Sequence, residues 1–217
     1  EKQLHLLKQT GADLVFADAL LFGDSPLNGR TFMEVNPARA EVTAENLLLV
    51  KVTVLTSTVL ARKAPIVDVG LFDLALRRGQ DFDLWLRLAK AGARFACQRE
   101  VLAHHRIVES GLSGGTISQL QRTLSVLDAV KARGGLTGAE EAALQWNMNR
   151  TLRELALERG KEKLLERDFS AALKSFKEAR KFRRSWKLLF VCLALRIAPG
   201  ALRRIYNRRE IAPGKPA

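Results

Sequence analysis

The residue types that could do chemistry in this 217-residue chain gather between Val69 and Ser113. The run Gln80-Asp81-Phe82-Asp83-Leu84-Trp85-Leu86-Arg87-Leu88-Ala89 carries two carboxylates. Leu84, Leu86, Leu88 and Ala91, with Gly92 beyond them, predict a helix over 80–91, so both acids fall in its first turn. Backbone N–H groups and the helix dipole there favour the ionised form. Such a carboxylate can accept a proton or simply cap the helix. Trp85 follows Asp81 by one turn and shares its face, as a stacking platform or as core. Asp83 reads as a dipole partner or structural acceptor, and Arg87 as an ion-pairing or solvated residue. Asp18 and Asp73 read as structural. His104, His105 and Arg106 close a strand-like run. Neighbours on a strand face opposite sides, so at most one of the two histidines can enter a site.

The elements that must position these groups follow from periodicity and breakers. Gln3–Lys8 ends a helix near Gly11, and Ala12–Asp18 is a short apolar run suited to a buried strand. Residues 23–39, with Gly23, Pro26, Gly29 and Pro37, form a loop. Thr43–Lys51 is a short helix; Val52–Arg62 is β-branched and suits strand or helix; Pro65–Phe72 is a short helix ending at Gly70. Phe95–Cys97 and Val101–Ile107 read as two strands, followed by a loop over Ser110–Gly115. Everything from Ile117 onward reads helical, with a capping box at Thr137–Glu140 opening a long helix. A domain boundary is expected near residue 116. Asp168–Ala179 resembles the second half of a tetratricopeptide repeat, but one unit cannot build a solenoid, so a helical hairpin is expected. The chain holds no Walker loop, Gly-x-Gly-x-x-Gly, Cys-x-x-Cys or His-Glu-x-x-His.

The order Val69-Gly70-Leu71-Phe72-Asp73, the Asp81–Ala89 helix, Val101-Leu102-Ala103, His104-His105-Arg106 and Leu112-Ser113 resembles the second half of family 2 glycosyltransferases. In that family a Gly-x-Phe-Asp/Glu turn precedes a Glu-Asp-x-Asp-Leu-Trp-x-Arg helix, and a strand ending in Tyr-Arg and a Leu-Ser follow. Ala12–Asp18 and Leu55–Arg62 also resemble family segments that precede the turn. The resemblance covers roughly residues 1–116. It implies an α/β fold, with the C-terminal, acceptor-side part of a GT-A (Rossmann-like) domain over 1–116; periodicity and charge add an α-helical extension over 117–183 and a basic amphipathic membrane-association tail over 184–217. It implies transfer of a sugar from a nucleotide-sugar donor to a glycan or lipid-linked acceptor hydroxyl, with inversion, in cell-surface polysaccharide or glycolipid synthesis. Asp81 would be the catalytic base; Trp85 would stack on a sugar, and His105 and Arg106 would face the diphosphate. The nucleotide-binding half, with its Asp-x-Asp motif for Mg or Mn, would lie before Glu1, so no metal is expected on this part alone, and the isolated part is expected to be inactive. Two departures stand out. Gln80 replaces the usual Glu and removes a charge beside the base, and Val108 replaces a His that could bind metal or diphosphate.

Composition bounds the remaining readings. Hydrophobic residues make up 47% and charged residues 27%, which excludes a disordered, collagen-like or coiled-coil chain. Cys97 and Cys192 are too few for a disulfide framework and suit a reducing compartment. The net charge of +13 is unevenly spread: residues 1–173 are near neutral, while residues 174–217 hold 13 Lys and Arg against 2 Asp and Glu. The run Leu188–Leu195 is too short to span a bilayer, which takes about 20 residues. Pro199-Gly200 should split the tail into two helices, with Leu202, Ile205 and Tyr206 on one face and Arg203, Arg204, Arg208 and Arg209 around it. This suits peripheral contact with an anionic membrane, on the cytoplasmic inner face of the cell membrane, rather than nucleic acid. Two other readings stay open. One is a non-catalytic membrane-associated helical module. The other is a receiver-like signalling domain, with Ala12–Asp18 and Val52–Thr56 as consecutive strands.

Overall fold

The computed structural model describes residues 1–36, 40–107 and 116–211. The chain is mixed α/β and divides into two compact units. The first comprises residues 1–114 and 125–147; the second comprises 115–124 and 148–217.

The first unit is built on a three-stranded mixed sheet of order β2-β1-β3. Helix α1 (Lys2–Thr10) stops at Gly11, which is left-handed, and leads into central strand β1 (Leu14–Gly23). β1 is buried from Leu14 to Ala19 and pairs in parallel with β3 (Phe95–Ile107) along its whole length. The strand expected over 12–18 therefore runs on to Gly23, because β3 offers hydrogen bonds that far. Gly23 has φ 125, and a Cβ there would lie 2.3 Å from the Ile107 carbonyl oxygen, so only glycine lets the strands stay this close. The two strands expected at 95–97 and 101–107 are one strand, whose extra residues between Gln98 and Ala103 make register shifts opposite Asp18.

The other edge of β1 is closed piecewise. β2 (Leu60–Ala61) pairs antiparallel with Leu14 and Val15. Beyond it the Thr58 hydroxyl accepts from the Ala17 amide (3.1 Å), the Asp18 carboxylate from the Ala19 amide (2.8 Å), and the Arg30 carbonyl from the Leu21 amide (2.9 Å). Every second amide along this edge thus finds a partner although β2 has only two residues. Val52–Arg62 is mostly irregular, with a 3₁₀ turn over Thr56–Thr58, since a short hydroxyl-rich turn can replace a strand here. The parallel strand over Val52–Thr56 that a receiver-like domain requires does not form.

The loop expected over 23–39 contains a one-turn helix, α2 (Phe32–Val35), capped by Thr31 and Glu34, and α3 (Ala44–Leu48) is capped by Thr43. α4 (Lys63–Asp68) precedes α5 (Gln80–Lys90), which packs on α3 and α4. Two further helices, α6 (Thr116–Arg133) and α7 (Gly138–Leu165), each contribute to both units. Val126, Leu127 and Val130 of α6 are buried, and the Asn147 amide of α7 donates to the Leu48 carbonyl (2.8 Å). The compact body thus extends past residue 116 by recruiting 125–147, because those helical segments cover apolar and polar groups that the first 114 residues leave open. The capping box at Thr137 and Glu140 is present.

The second unit is helical. α7 is followed by α8 (Phe169–Phe182), α9 (Trp186–Ile197) and α10 (Pro199–Ile211). Ala156, Leu164, Ala172, Phe176, Ala179, Leu188, Cys192 and Leu195 form its core, with Leu202 and Tyr206 packed against it. Phe176 lies where a Cβ on Gly160 would be 2.7 Å from its ring, so the bare glycine backbone makes room for the aromatic side chain. Pro199 opens α10 directly after α9 ends, as the Pro199-Gly200 pair predicts. Among the described residues no helix is long and apolar enough to cross a membrane.

Candidate functional site

Helix α5 begins at Gly79, whose φ of 74 turns the chain into the first turn. A Cβ at Gly79 would lie 2.7 Å from Val126 Cγ2, so glycine serves both the turn and the contact with α6. Asp81 is half-buried in this first turn. Its Oδ1 accepts from the Phe82 amide (2.8 Å) and its Oδ2 accepts from the Thr56 hydroxyl (2.7 Å). The 3₁₀ turn that carries Thr56 is tied to the central strand through Thr58, so the carboxylate is oriented from the sheet as well as from its own helix. Thr56 escapes a sequence reading of the site. The only local signal is the Thr56-Ser57-Thr58 cluster at the end of an apolar run.

Asp83, two residues on, is completely buried. It accepts from Arg87 Nε (2.8 Å) and Arg133 Nη1 (2.6 Å). Arg87 also donates to the carbonyls of Val69 (2.5 Å) and Leu71 (2.7 Å), and Arg133 reaches Asp73 (3.3 Å). Leu71 holds a left-handed φ of 61, so the guanidinium of Arg87 fastens a strained turn. Asp83 is thus the structural acceptor expected, Arg87 is an ion-pairing residue, and Asp73 belongs to the same network. Arg133 lies fifty positions from Asp83 and carries no local signal.

Of the two roles open to Trp85, the structure gives it the core one. Trp85 is 4% exposed and sits among the core residues of α5. Its ring offers no open face to a sugar, because this side of the helix is the one that packs inward. Among the described residues the indole Nε1 has no hydrogen-bond partner. His105 and Arg106 do not act together, since adjacent strand residues point to opposite faces. Arg106 instead shares a face with His104: its guanidinium lies 5.3 Å from the Phe22 ring centroid, and His104 meets the same ring edge-on at 6.1 Å. Val108, Leu112, Ser113 and the loop 110–115 lie outside the described residues, as does the side-chain placement of Arg208 and Arg209.

Asp18 is buried, and its Oδ1 accepts from the Ala19 and Met33 amides, which fits a structural role. Burial pushes the Cys97 thiol up, against the pull of Arg99, so it is a poor nucleophile; burial does the same to Cys192. Among the described residues of the first unit there are hollows in two places. One of 310 Å³ is lined by Arg87, Lys90 and Arg133 among others, and one of 360 Å³ by Glu41, Cys97 and Arg99 among others. Asp81 lines neither; it lies at the surface beside the 3₁₀ turn. Among the described residues no group of three or more His, Cys, Asp and Glu side chains could hold a metal ion. The divalent ion implied by the resemblance therefore has no donor set among them.

No known protein family matches the chain, and neither a characterised protein nor a solved structure matches it.

Proposed function

We propose that the first unit is the acceptor-side part of a GT-A-type glycosyltransferase resembling family 2, and that Asp81 is its general base. The observation that carries this reading is the state of the Asp81 carboxylate. It is partly open to solvent, stands in the first turn of α5, and is oriented by Thr56 and Phe82. A carboxylate has about four acceptor positions, and these two bonds leave others free to take a proton. In the transfer, an acceptor hydroxyl oxygen bonds to the anomeric carbon while the bond from that carbon to the nucleoside diphosphate breaks. The hydroxyl proton passes to Asp81 as the new bond forms, and the diphosphate leaves with the electron pair. Arg106 and His104, which share a strand face, are the candidates for meeting charge on the diphosphate. Partners on this reading are a nucleotide-sugar donor and a glycan or lipid-linked acceptor.

A second reading takes its support from Trp85 and His105. The burial of the one and the turning away of the other fit a first unit that is only a scaffold. The two readings part at Asp81→Asn in the enzyme that carries this chain. If Asp81 is the base, transfer falls by about 10²–10⁴ while nucleotide-sugar binding, measured by calorimetry, is kept. Transfer at the wild-type rate removes Asp81 from the chemistry and leaves the scaffold.

A further inference from the structure

The second unit presents a face whose chemistry the transferase reading does not use. α9 buries Leu188, Cys192 and Leu195 against its own unit. On its opposite side Trp186, Phe190, Leu193 and Ile197 are 78%, 66%, 42% and 82% exposed. At 3.6 residues per turn these four positions fall within a stripe about 60° wide running the length of the helix. Scattered exposed apolar residues are ordinary, but a contiguous stripe of this kind marks an interaction surface. Lys187 and Arg196, both exposed, stand on opposite flanks of the stripe, and Arg183 and Arg184 are exposed just before the helix begins.

The tail face expected from sequence is not this one. Leu202 and Tyr206 of α10 pack against the core, which leaves Ile205 alone exposed among the three residues expected to form the membrane face. The apolar surface open to a partner belongs to α9.

We propose that this face of α9 docks on an anionic lipid surface, with Trp186 and Phe190 entering the headgroup–acyl boundary and Lys187, Arg196, Arg183 and Arg184 meeting lipid phosphates. The charge of the segment decides the occupant: residues 174–217 hold 13 cations against 2 acids. A second copy of the chain would bring two such segments together and repel itself. A nucleic acid would leave the apolar stripe in water. An anionic bilayer matches both parts at once, because its interface is apolar beneath and negative above. Long cationic side chains at the border of the stripe can lay their stems on the apolar layer and keep their charges at the phosphates. The proposal does not depend on catalysis by the first unit.

The test is co-sedimentation of the 217-residue chain with vesicles of phosphatidylcholine alone and of phosphatidylcholine with phosphatidylglycerol, at low and high salt. Binding is expected to the anionic vesicles, falling with salt. Trp186→Ser with Phe190→Ser should lower it by about tenfold or more, and Lys187→Glu with Arg196→Glu should abolish the preference for anionic lipid. All four side chains are exposed, so circular dichroism should stay as in the wild type. Independently, tryptophan emission should shift to shorter wavelength on anionic vesicles in the wild type and not in Trp186→Phe. Equal binding to both vesicle types, wild-type binding by the Trp186/Phe190 variant, or a self-association that this variant dissolves would overturn the proposal.

Discussion

The two units handle charge in opposite ways. In the first, the most deeply buried polar group is Asp83, and two arginines converge on it. In the second, the main core cluster is apolar, built from Phe176, Leu164, Leu188 and their neighbours, and Arg183, Arg184, Lys187 and Arg196 around α9 stand exposed. A charge taken out of water must be paired, and the pairing fixes geometry. Asp83 therefore fixes the mutual arrangement of the Leu71 turn, α5 and α6. The cations around α9 are exposed and so are available to something outside the unit. The same residue types thus work as architecture in one place and as surface in the other, and burial separates the two.

The contrast is sharpest at Asp83. Asp83→Ala leaves Arg87 and Arg133 without their shared carboxylate and should cost about 3–5 kcal/mol in chemical denaturation. A loss below about 1 kcal/mol would mean that the network does not hold the first unit together. Next comes Gly79→Ala, which forces a Cβ into the left-handed region and towards Val126, and should cost about 1–2 kcal/mol. An unchanged melting curve would show that α5 can start elsewhere, and that the position of Asp81 is not fixed by this turn.

The smallest expected effect is at Glu140. Burial alone would raise its carboxyl, but the hydrogen bond from the Thr137 amide and the pairing with Lys90 outweigh this and hold it below the usual carboxylate value. A lowered folded pKa adds stability at pH values above the ordinary glutamate range, and that stability is lost as pH falls through the lowered value. Glu140→Gln should therefore be less stable than wild type near neutrality and converge with it in acid. A gap that widens on acidification would contradict the sign.

Some elements were legible because their signals are local. The periodic leucines with Gly92 mark α5 to within a residue, and Thr137 with Glu140 marks the start of α7 to within a residue. Gly11 stops α1 through its left-handed conformation. Other elements depend on a neighbour. Val52–Arg62 has the composition of a strand, yet its turn supplies a hydroxyl to an edge already formed by β1. The interruption at Gln98–Ala103 looks like a break between strands until β1 is laid beside it.

The sequence by itself settled that α5 spans the acidic run, that α7 starts at its capping box, that the chain beyond residue 117 is helical, that the positive charge is concentrated after residue 173, and that Asp81 stands in a helix's first turn. Caps, turns and periodicity act within about four residues, so the chain's own order contains them. Only the tertiary structure decided that Trp85 is core, that His104 and Arg106 meet the Phe22 ring, that Thr56 and Arg133 join the acidic turn, and that α9 rather than α10 leaves its apolar side open. Those outcomes depend on partners that folding brings together across long stretches of chain, from 25 residues for Thr56 and Asp81 to 99 for Asn147 and Leu48. Burial is a property of such meetings, and no local pattern carries it.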